Sequence, residues 1–192
     1  MTLDRLPDNL PVPCDDGAAA HLEGMRLPSI PLAATDGRFV DFSTEQGLLA
    51  VFIYPRTGRP GEPLPEGWDL IPGARGCTPQ ACAFRDLSRD FAEFGCKLYG
   101  LSVQDNDYQR EMVVRLHLPF PVLSDRDFAF ARALNLPTFQ AAGLTLLKRL
   151  SFIARDGLVT RVFYPVFPPD KNADEMLAWL GTAPSPLGRG LG

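Results

Sequence analysis

Apolar residues follow two patterns along this chain, and the first of them predicts strands. Continuous apolar runs at 48–55 and 96–103 are typical of strands buried on both faces of a sheet. Asp-Gly pairs at 36–37 and 156–157 each separate two short apolar runs, which is a strong signal for a β-hairpin. The first pair makes 27–42 an N-terminal hairpin added to the central sheet.

The second pattern is an apolar stripe at helical spacing, which predicts amphipathic helices. Such stripes cover 77–94, 106–118, 125–135 and 172–181. Asn172 stands where an N-cap residue is expected, with a glutamate three residues later. The resulting order, β-β-β-α-β-α-β-α-β-β-α, predicts an α/β fold with a mixed central sheet flanked by helices.

The length of 192 residues fits one domain with short appendages. Low periodicity and several prolines make 1–25 an N-terminal arm, and the domain is predicted to span 26–181. The Pro- and Gly-rich segment 55–76 interrupts this domain as an insertion directly before a cysteine, and long ordered loops of this kind are commonly functional. The last residues, 182–192, are predicted to form a flexible tail.

Composition argues against several classes of function. A net charge of −4 offers no basic surface for nucleic acid or an anionic membrane, and no apolar run is long enough to span a bilayer. Four cysteines are too few for a fold built on disulfides, which predicts a reducing, cytoplasmic environment. Only two histidines are present and a Cys-x4-Cys spacing suits zinc poorly, so no metal or other cofactor is expected.

The candidate chemistry lies in the segment 76–82, Gly-Cys-Thr-Pro-Gln-Ala-Cys. Cys77 stands at the predicted helix start, where free backbone N–H groups and the helix dipole favour a negative charge. A thiolate there is a nucleophile that can attack the O–O bond of a peroxide. Cys82 lies about 8.5 Å away between Cα atoms if the helix is intact, whereas a disulfide requires about 7 Å or less. The two cysteines can therefore pair only if the first turns of the helix unwind.

These residues resemble the peroxiredoxin superfamily, specifically the branch called bacterioferritin comigratory protein or peroxiredoxin Q. The resemblance covers about 25–180 and rests on the segments FIYP, GCTPQACAFRD, GLSVQDNDYQ, LPFPVLSD and KRLSFIARDG. It implies a thioredoxin-like fold, with Cys77 as the peroxidatic cysteine and Cys82 as the resolving cysteine. The intramolecular disulfide that they form would be reduced by thioredoxin or a similar dithiol. It also implies that Arg149 is the active-site arginine, which would hold Cys77 as a thiolate and bind a peroxide oxygen.

One part of the active-site motif departs from the family pattern. The family's threonine, three residues before the peroxidatic cysteine, is Ala74 here, and Leu70 occupies the position of the family's proline. We expect Pro55 to shield the cysteine instead, and Thr57, inside the insertion, to supply the missing hydroxyl.

The sequence therefore predicts a thiol-dependent peroxidase that reduces hydrogen peroxide or organic hydroperoxides and acts as a monomer or weak homodimer. Two alternatives stay open. The missing threonine is compatible with a redox-switched partner-binding protein of the same fold that has weak or no peroxidase activity. The cysteine pair is also compatible with a disulfide exchange enzyme.

Overall fold

The computed structural model of this chain describes residues 6–7 and 9–183. Within these residues, nine strands and five α-helices follow one another in an interleaved order. The strands are β1 (Leu32–Ala34), β2 (Phe39–Val40), β3 (Leu48–Ile53), β4 (Cys96–Ser102), β5 (Val122–Ser124), β6 (Thr138–Ala141), β7 (Leu144–Leu147), β8 (Leu150–Arg155) and β9 (Leu158–Phe163). The helices are α1 (Cys77–Asp86), α2 (Ser88–Glu93), α3 (Asn106–Leu116), α4 (Ala129–Ala133) and α5 (Asn172–Thr182), with 3-10 turns at Trp68–Leu70 and Pro169–Lys171.

Seven of the strands form the central sheet, in the order β2-β1-β5-β4-β3-β8-β9. Strand β3, in the interior of the sheet, pairs parallel to β4 and antiparallel to β8, so the sheet is mixed. The two predicted hairpins are present as β1–β2 and β8–β9. The α/β fold class that the pattern predicted is therefore confirmed.

Strand β3 is covered on both faces, which explains its continuous run of apolar residues. Leu49 faces a core that includes α4 and part of the N-terminal arm. Ala50 and Phe52 face the opposite core, which α1, α2, α3 and α5 share. Phe52 stacks on Phe84 of α1, with ring centroids 4.4 Å apart. This second core fixes α1, and with it the position of Cys77, against the sheet.

Three elements differ from the prediction, the first being the helix expected at 125–135, which is shortened to α4 (Ala129–Ala133). The single helix expected at 77–94 is divided at Leu87 into α1 and α2. Because Phe84 and Phe91 are both buried, the apolar stripe continues across the break and periodicity alone does not reveal it. An additional hairpin, β6–β7, follows α4, and its Ala142-Gly143 turn has a positive φ at both residues.

The predicted N-terminal arm packs closely on the domain in its second half. Leu22 is buried in the core, and Gly24 and Met25 exchange backbone hydrogen bonds with Val159. Residues 1–5 and 8 of the arm and 184–192 of the predicted tail lie outside the described residues. None of the described helices is long and apolar enough to cross a membrane.

Candidate active site

The predicted helix start at Cys77 is present, and Gly76 makes it possible. Cys77 is the first residue of α1, and Gly76 precedes it in the left-handed region, at a φ of 101°. A Cβ atom at this glycine would overlap the side chains of Pro169 and Leu6, so only glycine fits. The arrangement buries the cysteine side chain, which is 4% exposed.

A buried guanidinium, that of Arg149, contacts the sulfur of Cys77. Its Nη2 donates to Cys77 Sγ at 3.1 Å and to the backbone carbonyl oxygens of Ala74 and Arg75 at 3.1 and 3.0 Å. Its Nε donates to the carbonyl oxygen of Gly73 at 3.2 Å. These carbonyl partners are neutral, so the guanidinium places a buried positive charge directly against the sulfur.

A chain of buried polar side chains holds the guanidinium from behind. Arg149 Nη1 donates to Gln80 Oε1, and Gln80 Nε2 donates to Asn172 Oδ1 at 2.9 Å. Ser151 Oγ donates to the same Asn172 oxygen at 2.5 Å. Asn172 is thus not the N-cap that the sequence suggested: Lys171 has that position, and the asparagine side chain turns inward because these tertiary hydrogen bonds replace a local cap.

A small cavity of about 20 Å³, partly open to solvent, is lined by Cys77. The segment 55–76, which the sequence marked as an insertion, supplies most of its walls. The lining residues are Arg56, Thr57, Gly58, Leu64, Trp68, Ala74, Arg75, Gly76, Cys77 and Thr78. Among the described residues, Pro55 is buried at the end of β3 but does not line this cavity, so its predicted shielding role stays a prediction.

Thr57 is brought to the cavity that holds Cys77, although twenty residues separate the two in sequence. Its side chain is 1% exposed, and its Oγ1 donates to Gln104 Oε1 at 3.2 Å. Two further hydrogen bonds join the Thr57 backbone to the same glutamine side chain, at 2.8 and 3.1 Å. Ala74 is fully buried beside this cavity and contributes no hydroxyl.

The other cysteines have different environments. Cys82 lies on α1 and is half-buried, and Cys14 is exposed on the N-terminal arm. Cys96 is buried at the start of β4, and burial raises the pKa of its thiol to about 12. Cys96 therefore stays a neutral thiol near pH 7, which agrees with a packing role.

Three glutamine and asparagine side chains were not identified from the sequence as parts of the site: Gln80, Gln104 and Asn172. They act through contacts between residues 47 to 92 positions apart in the chain, which no local pattern reveals. The sequence offers one indication for two of them, because Gln80 and Gln104 both lie inside segments that resemble the family.

This chain is similar to known proteins in both sequence and fold. The family model described as Redoxin matches residues 22–177. The chloroplastic peroxiredoxin Q of Gentiana triflora is 28% identical over 184 residues, which cover 92% of this chain and 77% of that protein. The crystal structure of peroxidoxin BcpB from Mycobacterium tuberculosis has a TM-score of 0.68 and 26% identity, covering 85% of this chain and 98% of the other. A bacterioferritin comigratory protein of Xanthomonas campestris, described for its alkyl peroxide reduction activity, has a TM-score of 0.64 and 20% identity, covering 90% and 98%.

The mixed sheet, with the cysteine at the start of the helix that follows β3, makes this a thioredoxin-like fold. The chain belongs to the Redoxin family and, within it, to the peroxiredoxin Q or bacterioferritin comigratory protein branch. It is a thiol-dependent peroxidase, and membership of the family implies a hydroperoxide substrate and a thioredoxin-like reductant. The resemblance first noted from the motifs is therefore confirmed.

Proposed function

We propose that Cys77 is the peroxidatic cysteine and that it reduces hydroperoxides in the cavity that it lines. The thiolate attacks one peroxide oxygen, the O–O bond breaks, and Cys77 becomes a sulfenic acid. The other oxygen leaves with the bonding electron pair and takes up a proton, giving water or an alcohol. The observation that carries this proposal is the 3.1 Å contact between Arg149 Nη2 and Cys77 Sγ beside a cavity. Replacement of Cys77 by serine, which should abolish peroxide turnover, tests it.

We further propose that Thr57 supplies the hydroxyl that Ala74 lacks. Its proton is directed to Gln104 Oε1, so the lone pairs of Thr57 Oγ1 remain to accept a hydrogen bond from the peroxide O–H. The glutamine also binds the Thr57 backbone N–H and C=O, which fixes the orientation of the hydroxyl. The absence of the family threonine was the reason for considering a partner-binding switch without peroxidase activity, and a hydroxyl at this cavity weakens that reason.

We expect Thr57→Val to slow the reaction of Cys77 with hydrogen peroxide by about tenfold, the equivalent of one hydrogen bond of about 1.4 kcal/mol. Valine keeps the shape of threonine and removes only the hydroxyl. The rate of peroxide-dependent oxidation is measured by stopped-flow fluorescence. Thr160→Val, which removes a hydroxyl from β9, serves as the matched control. Equal rates for the wild type and Thr57→Val would exclude a role for the hydroxyl.

We propose that Cys82 resolves the sulfenic acid. Its sulfur attacks the Cys77 sulfur, forming a disulfide and releasing water. The guanidinium of Arg85 interacts with Cys82, which places a positive charge beside the attacking sulfur. Because the two Cα atoms are about 8.5 Å apart in a helix, the start of α1 has to unwind. That unwinding breaks the Gln80 hydrogen bonds to Arg149 and Asn172.

We expect one equivalent of hydrogen peroxide to form a Cys77–Cys82 disulfide in the wild type and to lower amide protection over 77–84. In Cys82→Ser the sulfenic acid should form at the wild-type rate and persist, and α1 should keep its protection. Mass spectrometry of peptides and hydrogen exchange measure the two effects. Identical exchange in the reduced and oxidised wild type would exclude this disulfide.

The reducing cytosol and the monomeric or weakly dimeric state stay predictions from the sequence. Disulfide exchange without peroxide chemistry also stays open as a side activity, and reduction of insulin in the absence of peroxide would detect it. No contact among the described residues favours that activity over peroxide reduction.

A further inference from the structure

The insertion 55–76 forms fixed walls around the Cys77 sulfur. Thr57 is tied to Gln104 by three hydrogen bonds, and Arg115 Nη2 donates to the carbonyl oxygen of Gly58 at 3.3 Å. The Arg59 guanidinium lies over the Tyr108 ring, 4.1 Å from its centroid. These contacts attach the first part of the insertion to the end of β4 and to α3.

The middle of the insertion is held by a separate apolar cluster. Trp68 is buried with Ala141 and Leu146 of the β6–β7 hairpin, and Leu64 packs against this cluster. The Trp68 and Phe139 rings lie 6.3 Å apart between centroids. The walls that Leu64 and Trp68 form are therefore supported by packing on a second element of the fold.

The space inside these walls is small. The cavity volume of about 20 Å³ is close to what a single water molecule needs. In the attack on a hydroperoxide, the leaving oxygen and any group attached to it point away from the sulfur. The walls that do not neighbour Cys77 in the chain are 56–58, Leu64 and Trp68, and they limit the space for a group on the leaving oxygen.

We propose that the insertion is a size filter, which restricts Cys77 to hydrogen peroxide and discriminates against hydroperoxides that carry a branched or aromatic carbon on the leaving oxygen. Leu64 and Trp68 are the residues that determine this specificity. The proposal rests on the proposed role of Cys77 and adds a substrate class to it. A hydrogen peroxide molecule needs only local adjustment of the cavity, whereas cumene hydroperoxide needs the Leu64 and Trp68 walls to move.

The test compares the rate constants for oxidation of Cys77 by hydrogen peroxide and by cumene hydroperoxide. We expect the wild type to favour hydrogen peroxide by about tenfold or more, and Leu64→Ala to raise the cumene hydroperoxide rate by about tenfold. The ratio of the two rate constants is the quantity compared, because any general effect of the variant on the reactivity of Cys77 cancels in it. Leu70→Ala is the matched control, because Leu70 lies on the same insertion but is 79% exposed. A filling variant, Leu64→Phe, should lower the cumene hydroperoxide rate further.

Two results would overturn the filter. One is a wild type that reacts with cumene hydroperoxide as fast as with hydrogen peroxide, and the other is a rate ratio that Leu64→Ala and Leu64→Phe both leave unchanged. A wild type that reacts with neither peroxide would instead overturn the proposed function, and the filter with it. A measurable hydrogen peroxide rate that Cys77→Ser abolishes separates the two cases.

Discussion

Cys77→Ser should abolish peroxide reduction and bring hydrogen peroxide consumption down to that of a protein-free control. Serine preserves the shape of the residue, but its hydroxyl is not ionised near neutral pH and has no accessible oxidised state like sulfenic acid. We expect a loss of at least about 10⁴-fold, the scale seen when an enzyme loses its nucleophile. Turnover with dithiothreitol or thioredoxin as reductant is the measurement.

The control for this variant is Cys14→Ser, because Cys14 is exposed on the N-terminal arm. It should keep full turnover. Cys96 is not expected to compensate in Cys77→Ser, since burial raises the pKa of its thiol and keeps it neutral. Substantial turnover by Cys77→Ser, or its loss in Cys14→Ser alone, would contradict the assignment.

Arg149→Met should slow the reaction of Cys77 with hydrogen peroxide by about 100-fold or more, which corresponds to about 2.7 kcal/mol of barrier. Methionine fills part of the space but removes the charge that faces the sulfur. It also leaves the carbonyl oxygens of Gly73, Ala74 and Arg75 without their donor. We expect Arg149→Lys to recover only part of the rate, because an ammonium cannot reproduce the planar fork of donors.

Alkylation of Cys77 distinguishes the two effects that Arg149 can have, one on formation of the thiolate and one on cleavage of the O–O bond. Iodoacetamide reacts with the thiolate of Cys77 but breaks no O–O bond. If the guanidinium only favours the thiolate, the rates of alkylation and of peroxide reduction should fall equally in Arg149→Met. We expect the peroxide rate to fall further, because the guanidinium also stabilises charge on the reacting oxygens. Wild-type peroxide rates in Arg149→Met would show that the 3.1 Å contact to the sulfur has no catalytic role.

The sequence was most informative where local chemistry and fold agree. The buried run at 48–55 forms β3 in the interior of the sheet, and the Asp-Gly pairs form turns, because both signals depend on short-range geometry. The start of the helix at Cys77 can also be predicted from the local sequence, since Gly76 and the apolar stripe after it define a helix terminus.

The rest of the site depends on contacts that the chain makes at long range. Arg149 was identified by resemblance, but its hydrogen bonds to the 73–75 carbonyls follow from packing of the insertion. The local sequence predicts Asn172 as an N-cap, yet Gln80 and Ser151 bind its side chain in the core. The β6–β7 hairpin was missed because its strands are short and half exposed, which gives no clear alternation.

The most direct test of the central claim is to trap the oxidised cysteine with dimedone in Cys82→Ser. The protein is treated with one equivalent of hydrogen peroxide, and the adduct is located by peptide mass spectrometry. Dimedone should label the peptide that contains Cys77, in proportion to the peroxide added, and Arg149→Met in the same background should slow the labelling. Labelling at Cys14 or Cys96 instead, or no adduct while peroxide is consumed, would contradict Cys77 as the residue that attacks the peroxide.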